Sequence, residues 1–121
     1  MCIKKLIGET SEYEKKEMLE IKKPKSWLKS VSAFANGIGG TLIFGISDSD
    51  TIIGLSDAKR DAEIISEQIK TKLDPIPEVN LRFHATEDGK ELIILQVAQG
   101  KETPYYYIGD GNRQTFIRIG N

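Results

Sequence analysis

The sequence predicts a mixed α/β (α+β) fold, a mixed β-sheet with two principal helices. Two observations predict it. Two stretches carry apolar residues at helical spacing, around Trp27–Ile38 and Ala58–Leu73. Between and after them lie short runs that are apolar throughout or alternate with polar residues, set apart by glycine, proline and Asx turns. The element order then calls for parallel and antiparallel strands in one sheet.

The elements follow in chain order. Residues 12–21 keep neither period, although their helix propensity is high, and Pro24 breaks anything running through it. Pro24 suits the first position of a helix, and Trp27, Val31, Phe34, Ala35 and Ile38 form its apolar stripe. Asn36-Gly37 and Gly39-Gly40 stop it, because asparagine and glycine accept the left-handed conformation of a C-cap. Residues 41–46 read as a strand buried on both faces, 47–50 as a turn, and 51–53 as a short return strand. Ser56 or Asp57 caps a second helix with Ala58, Ala62, Ile65, Ile69 and Leu73 buried, and Asp74-Pro75-Ile76-Pro77 ends it. Val79, Leu81 and Phe83 alternate with polar partners in a half-exposed strand. A hairpin turn at 87–90 leads to a buried strand at 92–97. An aromatic segment at 104–107, a turn at 109–112 and a last strand at 115–119 complete the chain.

At 121 residues the chain has the size of one domain, 1–121, with a core that needs no staples. Its single cysteine, Cys2, excludes an intrachain disulfide and a cysteine metal cage. No apolar run approaches the roughly 18 residues of a membrane span, and residues 1–8 are too short and charged for a signal peptide, so no membrane partner and a cytoplasmic setting are expected. The chain stops just after a strand, which suggests the N-terminal module of a longer protein. Net charge is −1, from 17 Lys+Arg and 18 Asp+Glu, which speaks against coating nucleic acid through bulk charge. The average hides an asymmetry: residues 1–30 carry eight lysines and five glutamates, a local excess of +3.

Several chemistries fail on the residues. The glycines at 37, 39 and 40 follow a helix and precede a strand, the reverse of a phosphate cradle, and read as a tight turn. The lone His84 lies on the polar phase of a strand and Cys2 is terminal, so a nucleophile with a positioned base is not available. Carboxylates offer more. If 12–18 is a strand, Glu14 and Lys16 share one face, and Asp48 lies just beyond the buried strand 41–46. Acids converging beside a lysine suit a metal-dependent phosphodiesterase, although interleaved acids and lysines also describe a solvated face.

Read together, Gly8-Glu9-Thr10, Glu14-x-Lys16, Val31 to Asn36, Gly39 to Ile46, Ile53-Gly54-Leu55, Asp88-Gly89-Lys90, Ile93 to Val97, Pro104-Tyr105 and Phe116 to Gly120 follow one pattern. It resembles the Schlafen-type AlbA-like domain, a family also described as DNA-binding and as divergent AAA. The block Ala-Phe-Ala-Asn-x-x-Gly-Gly-Thr at 33–41 is the specific part. The resemblance implies a first strand within Tyr13–Ile21. It also implies a DNA-binding module of a bacterial transcriptional regulator or helicase-related protein.

As an alternative, the resemblance implies a metal-dependent endoribonuclease. Glu9, Glu14 and Asp48 would then bind Mg²⁺ or Mn²⁺ with Lys16 assisting, and Ser47 competes with Asp48 for the third position. Lys15 stands where the family commonly has an aromatic or apolar residue, which implies a more exposed strand. For binding DNA or RNA the candidates are Lys16, Lys22, Lys23, Lys25, Lys29, Arg113 and Arg118; Tyr105 to Tyr107 either stack on bases or, the more ordinary arrangement, pack over the sheet edge. A homodimer is expected by analogy with AlbA-like folds.

Overall fold

A computed structural model describes residues 12–118. The chain runs β1 (Tyr13–Lys16), α1 (Lys25–Asn36), β2 (Gly40–Phe44), α2 (Ala58–Lys72), β3 (Leu73–Asp74), β4 (Val79–Ala85), β5 (Glu91–Val97), β6 (Tyr106–Tyr107) and β7 (Gln114–Thr115). Four strands make a mixed sheet in the order β1-β2-β5-β4, with β1 parallel to β2 and the other neighbours antiparallel. A small antiparallel sheet, β3-β6-β7, stands beside it. This is the expected mixed α+β class.

The main core lies between α1, α2 and one face of the large sheet. Trp27, Leu28, Val31, Phe34 and Ala35 of α1 and Ala58, Ala62, Ile65 and Ile69 of α2 meet Leu42, Phe44, Ile93, Leu95 and Val97. Trp27 sets its ring edge-on to Phe44 at 5.9 Å and 86°. β1 and β2 are joined through α1, so β1 lies on the edge of the sheet with α1 packed above.

Several elements differ from the sequence expectation. β1 lies within Tyr13–Ile21, as the resemblance implied, and takes up only its first four residues. β2 ends at Phe44, and beyond it the Lys16 carbonyl already accepts the N–H groups of Gly45 and Ile46 at 2.7 and 3.1 Å, leaving no ladder for residues 17–21. Met18 and Ile21 are accordingly exposed. β2 stops before Ile46 because Gly45 adopts φ +106, where a Cβ would press on Leu92 at 2.8 Å. The return strand at 51–53 is reduced to one bridge, Ile46 to Ile52. Leu73 is buried as expected but opens β3 instead of closing α2. The last strand is β7, Gln114–Thr115, shorter than 115–119; Ile119 lies outside the described residues.

Ile38 leaves the α1 stripe and is 69% exposed. The helix has ended at Asn36, and the N–H groups of Gly37 and Gly39 both close on the Phe34 carbonyl, at 3.1 and 2.9 Å. The left-handed residue of this stop is Gly39 (φ +88), not Gly37. At Gly40 a side chain would collide with the Phe34 ring. Gly40→Ala should therefore cost roughly 1–3 kcal/mol through overpacking, read as a lower urea midpoint at unchanged slope.

Candidate nucleic-acid interface

Side chains alternate along β1, so Glu14 and Lys16 look toward α1 while Lys15 looks the other way. Glu14 is the centre of the first face. Its Oε2 accepts the Ser30 hydroxyl at 2.7 Å and lies 3.4 Å from Lys16 Nζ; its Oε1 accepts Arg118 Nη1 at 2.8 Å. Ser30 is buried on α1, and Lys16 also donates to the Ser26 carbonyl at 3.2 Å. Arg118 reaches Glu12 as well, at 3.6 Å, and stacks its guanidinium 4.8 Å from the Phe34 ring. Burial alone would raise the Glu14 pKa, but the Ser30 hydrogen bond, the Lys16 charge and the Arg118 hydrogen bond together bring it below the ordinary carboxylate value.

That shift fixes a pH dependence. A carboxyl whose folded pKa is depressed stabilises the fold above its unfolded pKa, and loses that contribution as pH falls through the folded value. Glu14→Gln should cost about 1–2 kcal/mol at neutral pH. The difference from wild type should shrink as pH falls below 4.5, the ordinary value of this group. Urea unfolding of both proteins across that range checks it; a difference that stays constant into acid would refute the assignment.

The metal-site expectation does not find its donors here. Both Glu14 oxygens are taken by cationic or hydroxyl donors. Asp48 is exposed, and its carbonyl accepts Lys15 Nζ at 2.8 Å on the opposite side of β1; Lys15 also bonds Asp50 Oδ1 at 2.8 Å. Lys15 is thereby half-buried, less exposed than the family departure implied. Ser47 is no substitute, since its hydroxyl meets Ser49 at 2.9 Å and accepts the Thr51 N–H at 3.1 Å within its own turn. Glu9 lies outside the described residues, among which no group of three or more His, Cys, Asp or Glu is placed to hold a metal ion. The described residues by themselves do not make up a Mg²⁺ or Mn²⁺ site.

The lysines converge more convincingly. A surface groove of about 510 Å³ at the start of α1 is lined by Lys22, Lys23, Lys25, Lys29, Asp110 and Phe116, among others. Lys22, Lys23 and Lys29 are exposed and have no ion-pair partner among the described residues. Lys25 is different: its Nζ pairs with Asp110 Oδ2 at 2.9 Å and lies 5.7 Å from the Tyr107 ring centre and 5.9 Å from that of Phe116. Lys16 joins this face through Ser26. Arg113 lies apart from the groove lining, over the Tyr106 ring at 5.2 Å and 3.4 Å from Asp74. Arg118 is committed to Glu12 and Glu14.

The stacking expectation fails for Tyr105. Its ring is 4% exposed, its hydroxyl accepts the Glu102 N–H at 3.2 Å, and its backbone is bound to Asn36. Tyr107 is likewise buried although it lines the groove, and Phe116 is the half-buried ring there. Ser30, Asn36, Asp110 and Phe116 were not singled out as site residues by sequence. Asn36 and Phe116 lay in resembling segments, and Asp110 in a Gly-Asp-Gly turn, but their partners are distant in the chain.

A family profile described as Schlafen, AlbA_2 matches residues 9–121. The chain belongs to this family. The fold of this Schlafen AlbA_2 domain is similar to the solution NMR structure of the N-terminal domain of a protein related to the ATP-dependent DNA helicase RecG, from Nitrosomonas europaea. That comparison has a TM-score of 0.67 and 22% identity, over 98% of this chain and 85% of the other. It is also similar to the crystal structure of the DIP2311 protein from Corynebacterium diphtheriae, with a TM-score of 0.59 and 21% identity, over 92% of this chain and 23% of that one. At these identities the likeness is one of fold. No curated protein sequence matches.

The block at 33–41 has a structural task in this Schlafen AlbA_2 domain. Phe34 fills the core, Gly39 and Gly40 make room for Val97 and Phe34, and Asn36 ties α1 to two later segments. These glycines shape a helix-to-strand turn and hold no phosphate loop.

Proposed function

We propose that this chain is a nucleic-acid-binding module that grips phosphates through the lysine face at the start of α1. The observation that carries it is the convergence of Lys22, Lys23 and Lys29, exposed and unpaired among the described residues, on one groove beside Lys25 and the Phe116 ring. Three free ammonium groups within one helix turn and its approach neutralise phosphates at little desolvation cost. The groove also has an uncapped helix start: Pro24 provides no side-chain cap, and the first turn of α1 contains no acid. Membership of the Schlafen AlbA_2 family supports the reading. DNA is the target in this proposal, and the role is that of the DNA-contacting part of a cytoplasmic transcriptional regulator.

The test is a binding titration with fluorescently labelled single- and double-stranded oligonucleotides at several salt concentrations. Affinity should fall steeply as salt rises. Absence of any salt-sensitive binding to DNA or RNA would overturn the proposal. Among the described residues, no helix is long and apolar enough to cross a membrane.

A further inference from the structure

We infer that Lys25 is a masked phosphate subsite at the base of the lysine groove, with the Asp110 carboxylate seated where a backbone phosphate of the bound nucleic acid would sit. The inference rests on the nucleic-acid reading above and adds to it which lysine is held in reserve, and by what.

Lys25 is the first residue of α1, at the helix end where the dipole favours an anion and the helix's own sequence supplies none. The anion comes from the turn between β6 and β7, as Asp110 Oδ2 at 2.9 Å. Asp110 is the one acid among the described residues lining the groove. Tyr107 and Phe116 hold Lys25 Nζ from their ring faces at 5.7 and 5.9 Å. The ammonium is thus placed by aromatic contacts that do not depend on Asp110, and stays placed when the carboxylate leaves. Asp110 sits between Gly109 and Gly111, and Gly111 (φ +87) has open space around it. A side chain at Gly109 would collide with the Tyr107 hydroxyl, so the turn lies directly over that ring. Both partners are substantially exposed, at 40% for Lys25 and 46% for Asp110, so the pair is weak enough for a phosphate to displace. A phosphate offers Lys25 the same charge-assisted hydrogen bond as the carboxylate.

The exchange predicts a particular non-additivity. With Asp110 present, Lys25 is already neutralised and contributes little net charge to binding. With Asp110→Asn, Lys25 is free and carries a solvent counterion that binding releases. Asp110→Asn should tighten binding of a labelled single-stranded DNA of about 20 nucleotides by roughly two- to fivefold. It should also steepen the salt dependence by about 0.7 in log–log slope, the single-strand value per phosphate. Lys25→Gln should change wild-type affinity by less than about twofold, and should cancel the gain when combined with Asp110→Asn.

The four proteins are measured as full chains. The Tyr107 phenol gives an independent check of the geometry, because burial first and the Asp110 charge second raise its pKa. Asp110→Asn should lower that pKa while leaving the fold intact. Binding by wild type with no gain in Asp110→Asn overturns this inference alone. So does a gain that persists in the Lys25→Gln background, which would be a change of overall charge only. If neither wild type nor Asp110→Asn binds, the nucleic-acid reading falls and this inference with it.

Discussion

Replacing Lys22, Lys23 and Lys29 together by glutamine should weaken nucleic-acid binding roughly a hundred- to a thousandfold at 0.1 M salt. The estimate follows from counterion release, in which each neutralised phosphate contributes about 0.9 to the log–log salt slope of duplex binding. Three lost contacts remove nearly 3 from that slope. Extrapolated to 0.1 M from the molar range, where the electrostatic contribution vanishes, this gives the stated loss. The variant should fold as wild type does, because all three side chains are exposed and have no ion-pair partner among the described residues. Arg113 is the contrasting control. It lies outside the groove lining and is paired with Asp74 at 3.4 Å, so Arg113→Gln should change affinity far less than any of the three. A triple variant with undiminished affinity would remove the groove from the binding surface. A flat salt dependence in wild type would remove phosphate contacts altogether.

How far the sequence could be read depended on how local each element's cause was. The α1 stripe Trp27, Val31, Phe34, Ala35 was visible because helical period and burial coincide, and all four are buried. β5 was visible because a run buried on both faces must be apolar throughout. β1 was not readable from its own residues. Tyr-Glu-Lys-Lys has no apolar alternation, and it is a strand because it pairs in parallel with β2 across an intervening helix. β6 and β7 are two residues each and exist through pairing with one another and with β3.

The candidate site divides the same way. Period two placed Glu14 and Lys16 on one face, as found. The groups that decide what Glu14 can do, Ser30 and Arg118, lie 16 and 104 positions away, and no local pattern announces them. For Tyr105 the sequence left stacking and packing both open, and the tertiary contact with Asn36 decides for packing.

Asn36 gives the second large effect, on stability, and explains why this residue type stands at the end of α1. Its Oδ1 accepts the Tyr105 N–H at 2.6 Å, and its Nδ2 donates to the carbonyls of Tyr105 and Phe116, each at 3.0 Å. One carboxamide thus closes both sides of Tyr105 and fixes the segment that carries Phe116 and Arg118. Asn36→Ala leaves one backbone donor and two acceptors without these partners in a part-buried setting. The cost should be about 3 kcal/mol or more, a fall in Tm of roughly 10 °C. Asn36→Asp is the sharper test. It keeps the acceptor for the Tyr105 N–H but sets a carboxylate against two carbonyl oxygens, so at neutral pH it should be at least as damaging as alanine. Below the carboxyl pKa the protonated side chain regains one donor, and the loss should be partly recovered. If the asparagine served only to stop the helix, alanine, aspartate and glycine there would rank by C-cap preference, with glycine nearly neutral. Ranking by hydrogen-bond capacity instead would place the role of Asn36 in the tether between α1 and the aromatic segment, and loosening Phe116 would then weaken the lysine groove as well.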